Sequence, residues 1–152
     1  MGLPVRISAA TLDDHEWCAR LMASIEPWLT LRRDLEACRQ ALVRPGTELF
    51  LARDLNGAPV GFILLAPYGL AGSPYIASIA VAPDAQGKGV GGRLLDFAER
   101  HFHDRKNLFL LVSSFNPRAQ QFYRSHGYEL VGELKDYIVV GHSELILQKK
   151  LP

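Results

Sequence analysis

Apolar and polar positions along the chain change period several times, and each change marks an element. Residues 5–9 alternate, which predicts a first strand. Beyond them Trp17, Leu21 and Ile25 recur at helical spacing, behind a cap offered by Thr11 or Asp13. Pro27 ends that helix. Residues 26–33 form a connector, and a second helix over 34–43 stops near Pro45-Gly46. Strands at 48–54 and 60–66 flank Asn56-Gly57, a dipeptide that favours a tight hairpin. A glycine- and proline-rich loop is expected at 67–74. The apolar run 75–81 reads as a buried strand, and 89–101 as a helix with Leu94, Leu95 and Ala98 facing inward. Residues 108–113 are almost wholly apolar, which implies a strand covered on both faces. Pro117 suits the first turn of another helix, ending at His126-Gly127. Strands at 128–134 and 143–149 close the chain around a loop at 135–141.

The strand–helix–strand unit over 75–113 predicts a right-handed parallel crossover, whereas the hairpin at 56–57 predicts an antiparallel pair. The expected fold class is therefore α/β (α+β): a mixed, mostly antiparallel sheet of six to seven strands with about four helices. No internal repeat or linker interrupts the 152 residues, so one domain over 1–152 is expected. A net charge of +1 gives no reason to expect nucleic acid or an acidic membrane as partner. No apolar run reaches the roughly 18 residues of a bilayer span, and a cytoplasmic protein is the default expectation. Cys18 and Cys38 lack a C-x-x-C spacing, and His101 and His103 have no second ligand pair nearby, so no metal is expected.

The junction at 81–95 carries the chemistry. A buried strand, Pro83, a turn rich in glycine and an amphipathic helix follow one another directly. A helix start presents about four N–H groups without helical acceptors, together with the positive end of the dipole. Glycines at 87, 89, 91 and 92 leave room for a ligand to reach those groups, and Lys88 and Arg93 stand at the mouth. Such a turn is suited to an anion, most often a phosphate. Gly87, Gly89 and Gly92 satisfy the dinucleotide fingerprint, but that reading needs an acid at the end of the next strand, which here ends Val112-Ser113-Ser114-Phe115. A phosphate-loop nucleotidase needs a glycine followed by Lys and then Ser or Thr, and none occurs.

A different pair of motifs fits. Gln86-Gly87-Lys88-Gly89-Val90-Gly91 matches Q/R-x-x-G-x-G/A after a strand ending Ile79-Ala80-Val81. Downstream, the segment from Asn116 to Tyr128 matches N-x-x-A-x-x-F-Y-x-x-x-G-F/Y. With their separation and the order of elements, the chain resembles the GNAT superfamily of N-acetyltransferases. The resemblance implies acetyl-coenzyme A held in a gap between the strands at 75–81 and 108–113, parallel and splayed. It implies a pyrophosphate on Gln86, Gly87, Lys88, Gly89, Val90, Gly91 and Gly92, and a pantetheine arm along Ile79, Ala80 and Val81. A backbone N–H freed by the splay could also polarise the thioester carbonyl.

By the same resemblance Tyr123 is the general acid and Asn116, also a natural N-cap, contacts the cofactor. The acceptor would be a primary amine, on a peptide N-terminus or a small molecule, attacking directly in a ternary complex without a metal. A lysine-like amine is only about 0.04% neutral at pH 7, so such an acceptor needs a base. Some relatives carry a glutamate five residues before the asparagine; here Leu111 stands there. Glu144 is the candidate replacement, with His142, Tyr75 or a relayed water as alternatives. Trp28, Arg32 and Tyr75 are candidate substrate contacts, because connectors flank the gap and Arg32 and Arg33 could pair with a carboxylate. A homodimer stays open. A module that binds acyl-coenzyme A without turning it over is the alternative that Leu111 favours.

Overall fold

The computed structural model describes residues 2–152. Seven strands form one sheet: β1 (Arg6–Ala9), β2 (Glu48–Arg53), β3 (Pro59–Leu70), β4 (Ser73–Val81), β5 (Asn107–Ser113), β6 (Glu129–Leu134) and β7 (Glu144–Lys150). Their order is β1-β2-β3-β4-β5-β7-β6, and every neighbouring pair is antiparallel except β4–β5. Four helices cover it: α1 (Leu12–Ser24), α2 (Leu35–Leu42), α3 (Val90–His101) and α4 (Pro117–Ser125). The expected mixed sheet with a parallel central pair is what forms.

Local chemistry explains the boundaries. Thr11 caps α1 in a reciprocal capping box with Asp14, and Asp34 caps α2 through the Ala37 N–H at 2.8 Å. Asp14 is buried and also pairs with Arg53 on β2, tying α1 to the sheet. Two apolar clusters lie on opposite faces of the sheet. Val90, Leu94, Leu95, Ala98 and Tyr123 from α3 and α4 pack on one. Cys18, Met22, Cys38 and Leu42 from α1 and α2 pack against Leu51, Phe62 and Leu64 on the other. Both cysteines are buried thiols. Among the described residues no helix is long and apolar enough to cross a membrane.

The loop expected at 67–74 is a correction. β3 continues to Leu70 and β4 begins at Ser73, so the turn is only Ala71-Gly72, both at positive φ (52° and 80°). Left-handed geometry at both central residues matches the twist of a two-residue hairpin. The register jumps from Ala66↔Tyr75 to Leu70↔Ser73, so three residues oppose Pro74 alone. Pro67, Gly69 and Pro74, which read as breakers, sit in that bulge, where missing ladder bonds cost little.

Candidate functional site

The parallel pair β4–β5 is joined at only two positions, Tyr75↔Phe109 and Ile76↔Leu110. Beyond them the strands diverge: Ala77 sits at a register shift against β3, and Ser78 to Val81 keep β3 on one side and have lost β5 on the other. A buried strand edge leaves N–H and C=O groups that an amide-bearing ligand can satisfy. A cleft of about 1540 Å³ opens there. Its lining includes Ile79, Ala80, Val81, Gln86, Gly87, Gly89, Val90, Gly91, Gly92 and Asn116, all drawn from the motifs.

After β4 a single 3₁₀ turn (Pro83–Ala85) leads into the glycine segment, and Gly89 starts α3 in left-handed geometry at φ 82°. No side chain caps α3, so its first N–H groups keep their donors for something else. Gly87 has open space where a Cβ would stand, as a ligand cradle requires. Gln86 donates from its side-chain amide to the Val81 carbonyl at 3.2 Å and so ties the turn to the end of β4. Lys88 does not line the cleft; its carbonyl accepts from the Leu3 N–H at 2.8 Å on the outer side.

Gly91 and Gly92 have a packing role that the motif does not disclose. A Cβ on Gly91 would stand 2.9 Å from Phe122 Cζ, and one on Gly92 would stand 3.0 Å from His126 Nε2. The absent side chains let α4 close onto α3. Phe122 then meets Tyr123 edge-on at 5.3 Å between ring centroids. Tyr123, 8% exposed, lines the cleft from the α3/α4 face of the sheet. Burial pushes its phenol well above the usual tyrosine range, with Tyr75 adding to the effect, so it stays protonated. Asn116 caps α4 through the Ala119 N–H at 3.2 Å and borders the cleft.

Glu144 enters from the other face. It opens β7 opposite Ser113, while Leu111 faces Ile146 one step along the same ladder. Paired residues and their i+2 neighbours share a face, so Glu144 and Leu111 are diagonal neighbours on the side opposite Leu110 and Leu147. The carboxyl is buried and accepts the Ser113 hydroxyl at 2.8 Å (Oε2) and 3.1 Å (Oε1). Burial raises its pKa; the Ser113 bond and His142 oppose that rise without cancelling it. Tyr75, paired with Phe109, stands on the Glu144 face of the sheet and lines the same cleft. Burial, then the charge of Glu144, then Tyr137 push it up to about 12, with Arg44 pulling the other way.

Trp28, Tyr75, Tyr137 and Ile138 line the cleft as well. Arg32 does not. It is exposed, at φ 56°, while Arg33 and Arg44 border the opening instead. Arg44 and Ser113 were not singled out by sequence reasoning. The register of β5 on β7 finds Ser113, and no motif marks Arg44. Among the described residues no cluster of three or more His, Cys, Asp or Glu is placed to hold a metal ion.

A glycine turn feeding a helix start, beside a splayed parallel pair with a phenol and a carboxyl at the opening, defines an acyl-transfer type of site. The model of the Acetyltransferase (GNAT) family matches residues 9–128, and the chain belongs to that family. It is 30% identical to the N-alpha-acetyltransferase RimI of Mycobacterium tuberculosis over 97% of this chain and 92% of that protein. The fold is similar to that of a GNAT-family acetyltransferase from Desulfovibrio desulfuricans, with TM-score 0.78, 19% identity and coverage of 98% and 100% of the two chains. It is also similar to an aminoglycoside 6'-N-acetyltransferase solved with coenzyme A, with TM-score 0.77, 16% identity and coverage of 97% and 98%. The protein is an acetyltransferase of this family.

Proposed function

We propose that the chain, as one catalytic domain, transfers an acetyl group from acetyl-coenzyme A to a primary amine by direct attack in a ternary complex. The observation that carries this reading is the meeting of two sheet faces at the splay. Tyr123 comes from the α3/α4 side and Glu144 from the opposite side, with the gap between β4 and β5 separating them. The uncapped start of α3 and open Gly87 suit a diphosphate, and the freed edge of β4 suits a pantetheine arm. Acetyl-coenzyme A supplies the activated thioester.

Each residue then has one task. Glu144 takes the proton from the incoming ammonium, directly or through one water, and its raised pKa suits a base working near neutral pH. It stands one diagonal step from Leu111, so the carboxylate missing from β5 is offered from β7. Backbone N–H groups on the β4 edge can bind the thioester carbonyl as charge develops. Tyr123 donates to the departing sulfur. Its proton is held tightly, so hydrogen bonding to the thiolate outweighs full transfer. Two reactants fixed in register contribute on the order of 7–11 kcal/mol to lowering the barrier.

The likeness to an N-alpha-acetyltransferase supports an α-amine as nucleophile. Such an amine is neutral to about a tenth near pH 7, far more than a lysine side chain. The test is thiol release and mass-spectrometric detection of acetylated product across amines and peptides with free N-termini. Coenzyme A binding without release from any acceptor would instead establish the non-catalytic acyl-coenzyme A sensor.

A further inference from the structure

The acceptor wall of the cleft carries unspent positive charge. Ala37, Gln40 and Ala41 share one face of α2 and line the opening, with Arg33 just before the helix and Arg44 just after it. The acids nearby are already engaged. Glu26 accepts the Thr30 N–H at 2.9 Å and its hydroxyl at 2.7 Å. Asp34 caps α2, and Glu36 pairs with Arg39 at 3.3 Å. Among the described residues neither the Arg33 nor the Arg44 guanidinium belongs to an ion pair.

Arg44 shares the cleft with Tyr75 and Glu144. Its charge is felt by Tyr75, beside the Glu144 carboxyl. Six residue steps of extended β4 carry the chain about 20 Å from Tyr75 to Val81, where the run into the glycine turn begins. The charge of Arg44 thus acts at the Tyr75 end of that cleft. Trp28, Tyr137 and Ile138 give the same space an apolar wall. A polycationic amine would meet the Arg33 and Arg44 guanidinium groups there, with Glu26 and Glu144 the carboxyls that line the same cleft.

Building on the proposed acetyl transfer, we infer that the acceptor is an amine that carries a carboxylate on an apolar body, an amino acid or short peptide, with Arg44 holding the carboxylate and Arg33 extending the positive rim. A guanidinium fits a carboxylate through two parallel N–H donors, which an amide or ester lacks the charge to match.

The experiment is calorimetric binding to coenzyme A-saturated protein, with acetyl transfer measured in parallel. The probes are L-phenylalanine, L-phenylalanyl-L-aspartate, the amide of each, and spermidine. The carboxylates are expected to bind about tenfold more tightly than their amides, and spermidine more weakly than either. Arg44→Gln should erase that preference while leaving affinity for the amides unchanged; Arg20→Gln, which alters net charge equally on the far side of α1, should preserve it. Equal or tighter binding of the amides, or a preference that survives in Arg44→Gln, overturns the inference. Transfer to amides as good as to carboxylates would also overturn it and leave the acetyltransferase reading standing. Preferential carboxylate binding without thiol release would uphold the Arg44 carboxylate site but overturn its role in acceptor choice, together with the catalytic reading.

Discussion

Replacing Gly91 with alanine separates two roles that one glycine can have in this turn. If it only clears a path to backbone N–H groups, a methyl group weakens coenzyme A binding. The geometry points elsewhere, since the new Cβ would lie 2.9 Å from Phe122 Cζ and 3.4 Å from its Cε1. Carbon atoms prefer about 3.5–4.0 Å, so the ring must retreat by about 0.6 Å or more. His126 at 4.6 Å and Tyr123 at 5.3 Å between ring centroids bound its retreat on two sides, and the cleft lies open on another. Overpacking of this kind costs about 1–3 kcal/mol, offset by up to about 1 kcal/mol for alanine over glycine in a helix. The net loss of about 0–2 kcal/mol lowers Tm by up to roughly 8 °C in a domain of this size. Movement of Phe122 carries Tyr123 with it, and misplacement by about 1 Å can cost on the order of 100-fold in rate. Gly91→Ala is therefore expected to lower kcat far more than it raises the Kd for coenzyme A. Gly92→Ala, facing the tip of His126, should be milder in both. Differential scanning fluorimetry, calorimetric coenzyme A titration and thiol-release kinetics together decide it. A Kd raised tenfold or more at unchanged kcat would refute the packing argument and restore the ligand-access one.

Tyr123→Phe should reduce kcat by about tenfold or more with coenzyme A affinity nearly intact, and equal turnover in the two proteins would remove the phenol from the mechanism. Glu144→Gln should cut kcat/KM at neutral pH by about 100-fold or more if the carboxylate is the base. It should also change stability with a definite sign. The folded protein holds this proton more tightly than the unfolded chain does, so ionisation destabilises wild type as pH rises above the ordinary carboxyl range. The Tm advantage of Glu144→Gln should accordingly widen from acid to neutral pH, and one that narrows would show that the ionised carboxylate supports the fold. Gly61→Ala places a Cβ 2.8 Å from the Ala80 carbonyl oxygen, a backbone atom that cannot step aside. Denaturant unfolding should show a loss of about 1–3 kcal/mol, with a correspondingly lower midpoint.

Periodicity together with proline, glycine and capping signals was enough to find every strand and helix, clearest in β3, whose buried run is longest. It failed at 67–74, where proline and glycine normally break strands but here occupy a bulge that needs neither N–H donors nor side-chain room. The glycine turn was legible because its motif is carried by consecutive residues. The proposed base was harder to read: Glu144 was one candidate among several, and strand register is what brings it alongside Leu111. Arg44 was invisible for a similar reason. A lone arginine after a helix reads as solvated surface until the fold sets it against Tyr75.

Because β4 and β5 share only two rungs, the sheet is in effect two leaves sewn by a short seam. A coenzyme lying in the notch would furnish the missing stitches, making it part of the scaffold as well as a reactant. Hydrogen exchange at Ile76 and Leu110 should slow as the nucleotide thiol is added, and the folded lifetime of the protein would follow the supply of its own acyl donor.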